Sequence, residues 1–153
     1  MNFESDKQFM EKALQQAQRA YQQAEVPVGA IAVDMNGKVI ASAFNEKEIS
    51  LDPCAHSEVL LLKRAAKNLQ SWRLTDLSVY VTLEPCPMCL AAMVQARIKN
   101  LIFGAYDAKG GALSLGYWLH EDSRLNHGFS VRGGVLAGPC SLILKDFFKA
   151  RRG

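Results

Sequence analysis

Two short motifs in this chain supply the side chains of a metal site. The first is His56-Ser57-Glu58 and the second is Pro85-Cys86-Pro87-Met88-Cys89. One histidine and two cysteines are ligands that zinc accepts, and three protein ligands leave a fourth position for water, as in catalytic zinc sites. Glu58 lies beside this set and is suited to move protons as a general acid and base. The two motifs therefore predict a catalytic zinc site with His56, Cys86 and Cys89 as ligands and Glu58 as the proton carrier.

The remaining cysteines leave an alternative open. Cys54 lies two residues before His56, so it is available either as a fourth ligand, which would make the zinc site structural, or as a small apolar group lining a pocket. Cys140 lies in an apolar helical segment, and we expect it in the core.

Composition indicates one globular domain over residues 1–153. Hydrophobic residues make up 49% and charged residues 22% of the chain, which is ordinary for a globular protein. We expect no membrane association, because no apolar run is long enough to cross a bilayer and the N-terminus has no secretory pattern. A cytoplasmic location, where thiols stay reduced, is the expectation that follows. The net charge of +3 permits a nucleic-acid partner without requiring one.

Hydrophobic periodicity predicts alternating helices and strands after an initial hairpin. The hairpin turn is Asn36-Gly37, a strong signal of its kind, and Ser5 is a candidate N-cap of the first helix. The predicted helices are 5–24, 56–69, 87–97, 137–151 and a short one near 115–120, and the predicted strands are 28–35, 38–44, 77–83, 100–105 and 131–135. This order favours a three-layer α/β/α sandwich around a mixed five-stranded sheet.

Both zinc motifs fall at predicted helix N-termini. Cys86 and Cys89 are three residues apart, so one helical turn brings them to the same side. The partial positive charge of a helix N-terminus also stabilises a thiolate. We therefore expect the site where two helix N-termini meet.

At these motifs the chain resembles the cytidine-deaminase-like superfamily and, more closely, the bacterial tRNA-specific adenosine deaminases. The resemblance extends over nearly the whole chain. Besides the zinc motifs it rests on several shorter segments: 25–30, 81–85, 97–98, 103–105, 107–110, 126–127 and 146–152.

This resemblance implies a function and further site residues. It implies hydrolytic deamination of adenosine to inosine at the wobble position of a tRNA anticodon, with one zinc ion per subunit, a tRNA anticodon stem-loop as partner and a homodimer as the assembly. Four matched positions would bind the substrate. Asn45 would hydrogen-bond the flipped base, Asp107 would lie near the ribose, Lys109 would contact a phosphate, and Phe148 would pack against the anticodon loop.

The chain also departs from the family pattern. Ser57 stands where the usual motif has alanine, and the segment 112–118 is bulkier than the family's run of small residues. Two alternative functions are a deaminase of a free nucleobase or nucleoside, such as guanine or cytosine, and a catalytically silent RNA-binding partner subunit. Glu58 argues against the silent subunit, because a purely structural zinc site has no use for it.

Overall fold

A mixed five-stranded sheet forms the centre of the structure, a computed structural model that describes residues 3–152, with the side chain of Phe3 outside the description. Its strands are β1 (Gly29–Val33), β2 (Val39–Phe44), β3 (Ser78–Leu83), β4 (Asn100–Ala105) and β5 (Ser130–Arg132). They lie in the order β2-β1-β3-β4-β5. β1 pairs antiparallel with β2 and β3, whereas β3, β4 and β5 are parallel.

Helices cover both faces of this sheet. They are α1 (Phe3–Gln22), α2 (Lys47–Ser50), α3 (Ser57–Leu69), α4 (Pro87–Ala96) and α5 (Ala137–Arg152). Because side chains alternate along a strand, Ala30 and Ala32 of β1 pack with α3 and α4, while Ile31 and Val33 pack with α1 and α5. The three-layer α/β/α sandwich and its mixed five-stranded sheet are confirmed.

Local sequence signals account for most of these boundaries. In the hairpin turn, Gly37 has a φ of 81°, and Asp34 Oδ1 accepts hydrogen bonds from the backbone N–H groups of Asn36 and Lys38. Gly29 lets α1 approach the sheet closely, since a Cβ there would overlap the backbone of Ala13. Cys140 is fully buried against β4, as expected of a core residue.

Four details differ from the sequence-based expectations. Helix α1 begins at Phe3, so Ser5 lies inside its first turn and is not the N-cap. The short helix α2 was not predicted. The helix expected near 115–120 is a three-residue 3₁₀ helix, Leu119–Glu121. β5 ends at Arg132 because two glycines follow it. Within residues 3–152, no helix combines the length and the apolar character needed to cross a membrane.

Candidate active site

The three predicted metal ligands lie where the N-termini of α3 and α4 meet. His56 is the N-cap residue of α3 and Cys86 is that of α4, each with extended backbone angles. Pro87 takes the first position of α4, where its missing N–H costs little. Cys89, in the same first turn, is fully buried. Because α3 and α4 pack side by side on one face of the sheet, their first turns bring all three side chains together.

The spacing of the donor atoms fits zinc. His56 Nδ1 lies 3.5 Å from Cys86 Sγ and 3.4 Å from Cys89 Sγ, and one donor atom from each of the three residues lies within 4.8 Å of the others. Tetrahedral zinc with bonds of about 2.3 Å to sulfur and about 2.0–2.1 Å to nitrogen places a nitrogen and a sulfur ligand roughly 3.5–3.6 Å apart. The observed distances agree with this value, so the three residues are compatible with a bound zinc ion.

Among the described residues, no fourth side chain joins this group of donors. Cys54 is exposed, and its backbone N–H donates to Asp52 Oδ1 in a local turn. Of the two interpretations left open by the sequence, a fourth ligand at Cys54 therefore has no support in the structure. Three protein ligands with space for water are the arrangement of a catalytic zinc site.

Glu58 lies next to the ligands without being one of them. Its side chain is almost completely buried, and burial raises the pKa of its carboxyl, against the opposing effect of a hydrogen bond from Ser57. The Ser57 hydroxyl donates to Glu58 Oε1 at 2.6 Å. A buried carboxyl with a raised pKa is suited to accept a proton and release it again.

The environment of the first thiol favours the charged form that a metal needs. The pKa of Cys86 is lowered to about 4, first by a hydrogen bond with the Cys89 side chain and next by a hydrogen bond with His56, against the effect of burial. The hydrogen bond between Cys86 and His56 also raises the pKa of His56. Since the thiolate is the form that binds metals, these surroundings agree with a ligand role for Cys86.

A cavity of about 290 Å³ opens onto this cluster. Asn45 lines it and at the same time stabilises the site, because its Oδ1 accepts the N–H of Ser57 at 2.8 Å. The first N–H groups of a helix have no partner within the helix, and the side chain of the N-cap residue His56 does not bond to them. Asn45 supplies the missing acceptor for the N–H of Ser57. The lining residues are Val26, Val28, Asn45, Lys47, His56, Glu58, Leu83, Glu84, Cys86, Asp107 and Gly110.

The structure separates the four predicted substrate contacts. Asn45 and Asp107 line the cavity. Lys109 is exposed near its rim, and within the described chain its side chain makes no hydrogen bond or ion pair. Phe148 lies on α5 with 46% of its surface exposed, and its ring contacts Phe147, which is buried. Neither Lys109 nor Phe148 lines the cavity.

Two cavity residues, Lys47 and Glu84, were not predicted from the sequence. Lys47 begins α2, whose N–H groups at Glu48 and Ile49 are capped by the carboxylate of the distant Glu25. Glu84 is buried and accepts hydrogen bonds from the loop that carries Asp107. A site role for Glu84 could have been inferred from its position at the end of a strand, immediately before the Pro-Cys motif.

Comparison with known proteins agrees with this geometry. Residues 4–152 match the family model of the MafB19-like deaminases. The tRNA-specific adenosine deaminase of Haemophilus influenzae is 43% identical over 97% of this chain and 86% of its own length. A solved structure from a study of A-to-I editing by tRNA:A34 deaminases at the wobble position of transfer RNA matches with a TM-score of 0.85 and 39% identity, covering 90% of this chain and 99% of that chain. A guanine deaminase from Bacillus subtilis matches with a TM-score of 0.64 and 34% identity over 76% of this chain and 71% of its own.

Proposed function

The chain belongs to the MafB19-like deaminase family, and we propose that it is the enzyme that converts adenosine to inosine at the wobble position of a tRNA anticodon. One observation carries the proposal. A His-Cys-Cys group with donor spacings that suit zinc adjoins the buried Glu58 carboxylate, and His56, Cys86 and Glu58 line one cavity. The relatives named tRNA-specific adenosine deaminase match this chain over nearly its full length.

Deamination needs a water molecule and a carrier of protons. The C6–N bond of adenine breaks, a C6–O bond forms with the oxygen of water, and ammonia leaves. His56, Cys86 and Cys89 would hold one zinc ion per subunit, which when bound supplies the Lewis-acid activation of water. Glu58 accepts a proton from the water and delivers it to a ring nitrogen, and it then assists protonation of the leaving amine. The buried position of Glu58 and its raised pKa support this role.

The cavity is suited to one nucleobase taken out of its stack. Its volume of about 290 Å³ lies just below the range for drug-sized ligands, which suits a single base, and deaminases of nucleic acids bind a flipped base in such a pocket. The Oδ1 of Asn45 accepts a hydrogen bond from the Ser57 N–H, so the Nδ2 of Asn45 can donate a hydrogen bond to the base. Asp107 would contact the ribose from the cavity wall, while Lys109 and Phe148 would contact RNA outside the cavity.

A free-base deaminase is the competing function, and the similarity to a guanine deaminase is the observation that favours it. The decisive assay incubates zinc-loaded protein with an anticodon stem-loop carrying a wobble adenosine and, in parallel, with free guanine and cytosine. We expect inosine from the stem-loop and no ammonia from the free bases. Ammonia from guanine without inosine in the stem-loop would identify the competing function instead.

A variant of Glu58 separates catalysis from metal binding. Glu58→Gln keeps the size of the side chain but removes its capacity to carry a proton, so turnover should fall by about 10²–10⁴-fold. Zinc content should remain at one per chain, because Glu58 is not a ligand in this proposal. Loss of the metal together with activity would contradict the assigned role.

We also propose a homodimer in the cytoplasm. A largely apolar groove runs between α3 and α4, and the exposed Trp72 lies at its edge, with Arg73 and Arg97 stacked on the indole ring at 5.0 and 5.8 Å. An exposed apolar surface of this kind is typical of protein interfaces. Sedimentation equilibrium should give twice the chain mass, and Val59→Asp in the groove should shift it toward the monomer. A cytoplasmic location agrees with thiols that must stay reduced to bind metal.

A further inference from the structure

A second, smaller cavity lies on the other side of the loop that borders the active site. Its volume is about 230 Å³, and its walls include Phe103, Tyr106, Leu113, Trp118, His120 and Gly133. Tyr106 and Trp118 are large aromatic residues with 64% and 57% of their surface exposed. The proposed chemistry of the first cavity uses neither residue.

Both exposed rings are fixed by their surroundings. The Tyr106 ring meets the buried Phe103 edge-on, with 4.9 Å between centroids and 86° between planes. Gly133 makes room for it, since a Cβ there would lie 2.8 Å from the Tyr106 hydroxyl. The Trp118 indole N–H donates to the carbonyl of Leu113 at 3.0 Å. Two aromatic walls therefore keep their orientation while their surfaces stay available.

A buried polar group lies at the same cavity. His120 is almost completely buried, and its Nδ1 is the buried side-chain nitrogen or oxygen that lacks a hydrogen-bond partner within residues 3–152. Buried polar atoms are normally paired. His120 lines the second cavity, so its ring is part of the wall against which a ligand would lie.

One loop forms a wall of both cavities. Asp107 and Gly110 line the first cavity, and Tyr106 and Leu113 line the second. Tyr106 and Asp107 are consecutive, so their Cα atoms are about 3.8 Å apart. The two cavities therefore share this loop as a wall, close enough for adjacent nucleotides of one RNA strand to reach both.

We propose that the second cavity binds one unpaired nucleobase next to the target adenosine, stacked against Tyr106 and Trp118. This inference rests on the proposed function, because it requires an RNA substrate. The volume lies below the range for drug-sized ligands, so it suits one planar group. Stacking on aromatic side chains is the common way in which proteins bind unpaired bases, and it tolerates any base.

Kinetics with the anticodon stem-loop test this subsite. Tyr106→Ala and Trp118→Ala should each raise KM by about tenfold with kcat unchanged, since they remove binding that substrate and transition state share. Trp118→Phe retains a stacking ring and should restore most of the affinity. Leu142→Ala is the matched control, because Leu142 is equally exposed at 57% on α5 and lines neither cavity.

Abasic substitutions in the RNA identify the base concerned. We expect one loop position at which removal of the base weakens binding to wild-type protein, and at which Trp118→Ala adds no further loss, because the two changes remove the same contact. Unchanged KM in both alanine variants, or additive losses at every position, would overturn the subsite. If wild-type protein makes no inosine at all, the proposed function itself fails, and the two failures are therefore distinguishable.

Discussion

Glu84 is the residue whose removal should most disturb the wall of the active site. Its carboxylate is buried and accepts three hydrogen bonds, from the backbone N–H of Asp107 at 3.0 Å, the backbone N–H of Ser114 at 2.8 Å and the hydroxyl of Ser114 at 2.6 Å. Gly111 leaves the space that the carboxylate occupies, because a Cβ at that position would overlap it. The loop from Asp107 to Ser114 is therefore built around one side chain.

The cost of losing this carboxylate follows from the groups left behind. In Glu84→Ala the Ser114 hydroxyl can rotate to a new partner, but two backbone N–H groups cannot, and each unpaired buried donor costs about 1–3 kcal/mol. Two such donors give about 2–6 kcal/mol, and because Ser114 is exposed the expected loss in the free energy of unfolding lies in the lower half of that range, about 2–4 kcal/mol. Glu84→Gln retains one acceptor oxygen and turns an N–H₂ toward the other donor, so its cost should be about 1–3 kcal/mol.

Urea unfolding of zinc-saturated protein measures these differences. In thermal melts, Glu84→Gln should lower the melting temperature by about 2–12 °C, because each kcal/mol corresponds to roughly 2–4 °C at this chain length. It should also raise KM for the stem-loop, because Asp107 and Gly110 would no longer be fixed at the cavity. Glu11→Gln, which removes the same charge from an exposed position on α1, is the control. If Glu84→Ala costs no more than this control, the loop is stabilised by other contacts and the reasoning is wrong.

Four further outcomes are expected. Cys86→Ala should lose zinc in elemental analysis and lower the melting temperature, since metal binding and folding are coupled; full zinc occupancy would refute the ligand role. Ser57→Ala should destabilise the protein by about 1–3 kcal/mol in urea unfolding, because the buried Glu58 loses its 2.6 Å donor. Burial lowers the pKa of His120, so its neutral form stabilises the fold, and stability should fall as pH drops below about 6.5; His120→Phe should reduce this fall in melts at pH 7.5 and 5.5. Lys109→Ala should make stem-loop binding less salt-dependent, by about 0.7–0.9 in log–log slope; an unchanged slope would exclude a phosphate contact.

Signals close together in the sequence predicted the sheet and the convergence of the three candidate ligands. The Asn36-Gly37 turn aligns β1 with β2, and Pro87 marks the first position of α4. His56, Cys86 and Cys89 converge because each lies at or near the start of a helix that follows a turn or a strand. The turn and the two helix starts each depend on residues within a few positions of one another, so they can be predicted from local sequence, and the packing of α3 beside α4 then brings His56 to the two cysteines.

The burial of a polar residue in a loop is harder to predict from the sequence. His120 reads as a polar loop histidine but is buried in the 3₁₀ helix, where its ring lies 5.9 Å from Phe129. By contrast, the adjacent Phe147 and Phe148 differ in burial, with Phe147 buried and Phe148 exposed. In an amphipathic helix the 3.6-residue period places one of two adjacent residues on the apolar face, which explains the difference between Phe147 and Phe148. No comparable local pattern around His120 indicates whether its loop is buried or exposed.

The features near the site that the sequence did not reveal share one physical cause. Glu25 and Glu84 are both buried, and each directs both carboxylate oxygens at N–H groups of a segment more than 20 residues away. Burying a carboxylate is costly unless it is hydrogen-bonded, so these segments must adopt the conformation that presents their N–H groups. The short helix α2 and the 107–114 loop thus take their shape from a distant acid and not from their own propensities. These hydrogen bonds fix the positions of Lys47 and Asp107 at the cavity. In the sequence, however, Glu25 and Glu84 cannot be distinguished from ordinary solvent-exposed glutamates.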